Sequence, residues 1–216
     1  MKTMRSRLIK HYLPLSVLTV LTVVAFSYRN PKWDFITLIA DSSAYMAIVL
    51  IAGSLIIGPI NILLKYKNPT STYFRRDIGI SAGVITLIHS ICGLFVHLRG
   101  QMWKYFFERN DQGYFIPFDD FRLANYTGLL STLLIVAVLV TSNDYSMMKL
   151  TVTRWKNIQR LSYVMFLFAI VHVIYFRRVM DNPSLLYSFY LPLLVVVAGF
   201  QGIGAWVKTI GVKVGN

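Results

Sequence analysis

Six stretches of the chain are long, apolar and nearly free of charge: Leu8–Tyr28, Phe35–Leu64, Ile78–Leu98, Leu123–Thr141, Ile158–Phe176 and Leu185–Val207. A helix needs about 20 mostly apolar residues to cross a bilayer, and each stretch meets that length. The pattern predicts an all-α integral membrane bundle of six helices, a single domain spanning residues 1–216 with the lipid bilayer as its solvent. The second stretch is long and carries Gly53, Gly58 and Pro59, which predicts a tilt or kink near its inner end. No repeat, low-complexity tract or soluble domain interrupts the series. Arg99–Arg122 is the one long connection, and its Trp103, Tyr105, Phe106, Phe107, Tyr114, Phe115 and Phe118 suit the headgroup region. It reads as an interfacial lid or short amphipathic helix, with a docking surface for a partner protein as the alternative.

Lysine and arginine set the direction of the bundle, because they accumulate on the cytoplasmic side. With the N-terminus inside, the inner segments hold Lys2, Arg5, Arg7, Lys10, Lys65, Lys67, Arg75, Arg76, Lys149, Arg154, Lys156, Arg160, Lys208 and Lys213, which is 14 of the 22 basic residues. Asp34, Glu108, Asp111, Asp119, Asp120 and Asp181 fall outside. Both termini are therefore expected in the cytoplasm.

Composition agrees with a membrane protein. Of 216 residues, 56% are hydrophobic and only 14% charged, against about 45–50% and about 25% in soluble domains; mean hydropathy is +0.56. A net charge of +13 raises the question of nucleic acid. The charges sit at the ends of apolar runs and form no patch, so nucleic-acid binding is not expected. The single cysteine, Cys92, lies within an apolar run and reads as packing.

Ionisable side chains at bilayer depth mark function by default. Among the four histidines, His11 and His97 sit at helix ends and read as structural. His89 lies 12 residues beyond Asp77, and His172 lies 12 beyond Arg160; each offset is about 18 Å of helical rise. The third and fifth helices run in the same direction, so both imidazoles reach one depth in the outer half. Two level histidines on different helices can ligate an iron from opposite sides, or serve as hydrogen-bonding core residues. A transporter has only Asp41 in its favour, and that residue lies within reach of the interface.

Two stretches carry a resemblance. In the first, Arg75-Arg76-Asp77-Ile78-Gly79 leads to His89; in the second, Thr141-Ser142 leads through Trp155, Arg160-Leu161 and Tyr163 to His172 and Tyr175. From Ala44 onward the chain resembles the ferric-reductase-like transmembrane superfamily. Within it the chain is most similar to the haem-bearing membrane subunit of the bacterial periplasmic methionine sulfoxide reductase system. The resemblance implies one haem b held by His89 and His172 in the outer half of a multi-pass protein of the bacterial inner membrane. Arg99, Arg177 and Arg178 follow the ligands on the outer side and are candidate propionate partners. Relatives carry a further histidine where this chain has Gln159, so an inner haem is not expected. A bound flavin or quinone near Arg75, Arg76 and Trp155 would shorten the remaining crossing. The chain carries no Gly-rich dinucleotide loop and is expected to need partner proteins for electron donation and acceptance. The expected function is membrane electron transfer from the cytoplasmic or quinone side to an outer partner, as an oxidoreductase component. The rival is an accessory subunit of a larger complex, with a haem off any transmembrane path or with none.

Overall fold

The computed structural model describes residues 4–65, 72–99 and 101–214. Lys2 and Lys67 of the charge pattern, and the side chain of Lys213, lie outside that description. Six helices are long and apolar enough to span a membrane: α1 (Met4–Arg29), α2 (Phe35–Leu63), α3 (Tyr73–Leu94), α4 (Asp120–Val140), α6 (Val152–Val179) and α7 (Leu191–Val214). A short α5 (Asp144–Lys149) joins α4 to α6, and a π-helical turn (Leu186–Tyr190) leads into α7. The all-α membrane bundle is as the sequence predicts.

The helix starts are written locally. Asp34, Thr72, Asp119 and Thr151 each accept a hydrogen bond from a backbone N–H three residues on, satisfying one of the orphan donors that every helix start leaves. The four side chains fix where α2, α3, α4 and α6 begin.

The core forms around α2. Met46, Ile51 and Leu55 are buried against Ala82 of α3, Met165 and Ile170 of α6 and Val197 of α7. α3 packs along α2, and α4 packs along α6. Leu13, Val17, Val20 and Leu21 of α1 remain exposed, the side that a bilayer would cover.

α2 runs unbroken through Pro59. Proline has no N–H to donate, so the carbonyl four residues back is left over. Gln201 Nε2 donates to that Leu55 oxygen at 2.7 Å, and Gly204 lets α7 close on the ring, since a Cβ there would meet Pro59 Cβ at 3.1 Å. At the same end, α1 widens into a π-helical stretch (Leu8–Tyr12) after its first turn. It brings three side chains onto Asp77, which is 0% exposed. Arg7 donates through Nε at 3.2 Å and also through Nη2, His11 Nδ1 lies 2.5 Å away, and Tyr12 donates at 2.9 Å. A carboxylate is tolerated in such a place only when paired and hydrogen-bonded.

The other end carries the long connection. Where the sequence suggested a lid or short helix, residues 108–115 form a β-hairpin. β1 (Glu108–Asn110) pairs antiparallel with β2 (Gly113–Phe115), Glu108 opposite Phe115. The turn chemistry is Asn110 Oδ1 accepting from Gln112 N at 2.9 Å and Gly113 at φ +122°, a backbone conformation that favours glycine. Tyr105 anchors the preceding 3₁₀ turn by donating to Gly93 O at 3.2 Å.

Candidate functional site

His89 on α3 and His172 on α6 meet inside the bundle, in the half nearer the hairpin. Their ring centres are 6.2 Å apart and their planes cross at 69°. His89 Nδ1 contacts the Ala40 carbonyl at 2.9 Å, and His172 Nδ1 contacts the Ala124 carbonyl at 2.7 Å. A carbonyl oxygen can only accept, so each ring carries its proton on Nδ1. Each Nε2 is then a bare lone pair, and among the described residues neither one has a hydrogen-bond partner. Metal-binding histidines are held in this way, with the far nitrogen donating to a backbone carbonyl that fixes tautomer and orientation.

Small residues make room for the rings. Ala40 is 3% exposed and Ala124 is 0% exposed. Gly128, one turn beyond Ala124, lies so close that a Cβ would meet His172 Nδ1 at 2.8 Å and Cε1 at 3.1 Å. Ala124 and Gly128 form the small-x-x-x-small spacing that lets membrane helices approach. That spacing was readable in the sequence and could have flagged the partner of His172.

The donor set bears on what the site could hold. A metal meets an imidazole nitrogen at about 2 Å, so two ligands on opposite sides of one ion place their ring centres roughly 6 Å apart; the observed separation is 6.2 Å. Among the described residues no three His, Cys, Asp or Glu side chains gather as a metal site, and two imidazoles alone do not complete the four ligands of a protein-held zinc. A metal here would have to bring its own equatorial ligands, as haem iron does. The residues present fit a haem.

The other candidates are distributed over both ends. Phe176 stacks on His172 at 5.9 Å, and His97 lies 6.4 Å from Phe176. Arg99 is occupied by Asp34 and by Phe95 O, the latter at 2.6 Å. Arg178 is exposed and sits over the Tyr175 ring at 5.7 Å. Arg177 turns inward, donating to Tyr45 Oη at 2.9 Å. At the opposite end, Arg76 donates to Asp144 at 2.5 Å and covers the Tyr73 ring at 5.1 Å. Trp155 Nε1 donates to Thr141 O at 2.9 Å. Gln159 Nε2 donates to Thr141 Oγ1 at 3.2 Å, with Ser142 Oγ at 3.3 Å and Val138 O at 3.4 Å. Trp155 and Gln159 thus close the C-terminal end of α4, whose last carbonyls have no helical partner. The structure brings His89 and His172 together; the contacts of Arg99, Arg178, Arg76 and Trp155 lie elsewhere. Sequence reasoning passed over Ala40, Ala124 and Gly128, and used Asp77 only as a depth marker.

Comparison with known proteins adds one match. The family described as "Ferric reductase like transmembrane component" matches residues 43–170, a stretch that includes His89, Gly128 and most of α6 up to the turn before His172. No curated protein matches the chain.

Proposed function

This chain belongs to the ferric reductase like transmembrane component family, and from that premise we propose that it is a haem b-binding electron-transfer subunit, in which His89 and His172 would hold the haem. The observation that carries the reading is the facing pair of imidazoles, each locked by its Nδ1–H and each offering a bare Nε2. When bound, a haem supplies a one-electron carrier. The chain's own residues do the rest. The Ala40 and Ala124 carbonyls hold the ring protons on Nδ1 and raise the basicity of the opposite nitrogens.

The polypeptide would sit in a bacterial inner membrane, with both termini cytoplasmic and the hairpin outside. Electrons would enter from the cytoplasmic or quinone side and leave to a partner protein at the hairpin end. A flavin or quinone near Trp155, Arg75 and Arg76 would shorten the crossing. Arg76 Nε, buried and without a hydrogen-bond partner, supports a ligand there.

The accessory-subunit reading is favoured by one observation. Gln159, which stands where the resemblance leads one to expect a further histidine, is committed to closing α4. A visible-absorption spectrum of the purified protein, oxidised and reduced, separates the two. A reduced b-type spectrum supports electron transfer; no haem signal in protein matured with haem supply overturns it.

A further inference from the structure

A guanidinium within a membrane bundle is costly and needs a partner. Arg177 lies on α6 five residues beyond His172, toward the hairpin end. Its Nη2 donates to the Tyr45 hydroxyl at 2.9 Å. The Tyr45 and Tyr190 rings lie 5.9 Å and 5.8 Å from its central carbon and stack on one another at 5.8 Å. The two rings hold the side chain inward, while its neighbour Arg178 points out. Its Nε is buried and has no hydrogen-bond partner. No carboxylate forms a salt bridge with it among the described residues. Asp41 is the acid whose charge acts on it, one turn of α2 from Tyr45, yet the two are not hydrogen-bonded.

Nε–H and Nη2–H lie on one edge of a guanidinium, the edge that takes a carboxylate through two parallel hydrogen bonds. In Arg177 half of that edge is empty, and the other half rests on a hydroxyl that can itself donate. We propose that Arg177, with Tyr45, is the seat of a carboxylate, and that the carboxylate is a propionate of the haem held by His89 and His172. The assignment rests on the haem reading above. Placement supports it: Asp41 follows Ala40, whose carbonyl holds His89, and Arg177 shares α6 with His172. The Arg177–Tyr45 pair therefore stands on α6, which carries His172, and on α2, whose Ala40 carbonyl orients His89. Arg99 is already neutralised by Asp34, so it leaves the task to Arg177.

The test is a cycle of two changes on the full-length protein in detergent. Wild type, Arg177→Gln and Arg178→Gln are stripped of haem and titrated with haem b and with its dimethyl ester, whose propionates cannot ionise. Arg177→Gln should weaken binding of haem b by about tenfold or more, the scale of one charge-assisted contact. Its midpoint potential should fall, because a cation near the iron favours the reduced form. With the ester, wild type and Arg177→Gln should bind alike. Arg178→Gln should match wild type with both ligands. An equal loss with haem b and with the ester would overturn the assignment and leave Arg177 as a packing residue. Equal binding of haem b by wild type and Arg177→Gln would overturn it as well. Absence of any haem binding in wild type would remove the haem reading itself, a result distinct from all of these.

Discussion

Replacing Gly128 with alanine tests the ligand geometry without touching a ligand. The new Cβ would fall 2.8 Å from His172 Nδ1 and 3.1 Å from Cε1, closer than unbonded atoms sit, so the ring or α4 must shift. The ring is the softer element, but moving it loosens the 2.7 Å contact with Ala124 O that fixes the tautomer. Forcing a methyl into packed space costs about 1–3 kcal/mol. A glycine-to-alanine change within a helix returns about 0.5–1 kcal/mol. The net cost to the stability of the haem-free protein therefore lies between about 0 and 2.5 kcal/mol. Haem affinity takes the larger change, since losing an outer-shell partner of a metal-binding histidine lowers affinity about 10–100-fold.

The assay is haem titration of the stripped protein followed in the Soret band, with thermal unfolding of the haem-free form as the control. Gly53→Ala is the matched comparison, because a Cβ at Gly53 has nothing within 4 Å; it should leave affinity unchanged. The reasoning fails if Gly128→Ala binds haem as tightly as wild type, or if both glycine variants weaken it equally.

Further outcomes follow from the same structure. His89→Ala and His172→Ala should each abolish or severely deplete bound haem, while His11→Ala and His97→Ala keep it, as read from pyridine haemochrome spectra. The haem-to-protein ratio should be about one, and Gln159→Ala should leave it unchanged while lowering thermal stability by about 1 kcal/mol, the worth of a neutral hydrogen bond; a ratio near two would refute this. Asp77→Ala should destabilise the protein by about 3–5 kcal/mol, because it leaves the buried Arg7 cation unpaired; a melting temperature equal to wild type would show that the cluster carries no such weight. Asp34, outside the spans, is held down to about 2 by Thr37 and then by Arg99, from an ordinary 3.8. A depressed carboxyl contributes stability above its unfolded value and loses it as pH falls through the folded one. The Asp34→Asn difference in melting temperature should therefore be constant above pH 4 and vanish toward pH 2.

The spans and the pairing of the histidines were legible because both follow from spacing. Uncharged length fixes a membrane helix, and equal rise from the helix starts puts His89 and His172 at one level. Which nitrogen faces inward was not legible, since it depends on the Ala40 and Ala124 carbonyls reaching across from other helices. The Asp77 cluster was hidden for a different reason. Its partners His11 and Tyr12 lie on a π-helical turn that Arg7 immediately precedes, and ordinary 3.6-residue spacing does not put Arg7, His11 and Tyr12 on one face. The hairpin was missed because aromatic density in residues 103–118 outweighed the turn chemistry of Asn110 and Gly113. Arg99, Arg177 and Arg178 could not be ranked by sequence, because burial distinguishes them and their spacing does not.

The two ends of the bundle use their polar groups differently, and the difference bears on how many haems the chain can hold. At the end carrying the termini, the polar side chains mostly close gaps in the backbone or answer a charge. Gln201 takes the carbonyl freed by Pro59, Arg75 Nε donates to Ser54 O, and Trp155 and Gln159 finish α4. Arg7, His11 and Tyr12 surround Asp77. No imidazole is left over there, because the histidine at that end is committed to a carboxylate. At the hairpin end, two imidazole nitrogens and the Nε atoms of Arg122 and Arg177 remain after every fold-stabilising contact is made. Arg122 is already neutralised through its other nitrogens by Glu108 and Asp119, whereas Arg177 has no such carboxylate among the described residues. Leftover ligands and donors in a low-dielectric interior are expensive, so a fold that keeps them is expected to bind something that repays the cost. One haem at the hairpin end would answer the two imidazoles and Arg177. The exception at the other end, the unpartnered Arg76 Nε, offers a donor and no iron ligand. An anionic or carbonyl-bearing cofactor could use that donor, and a second haem would find no axial nitrogen beside it.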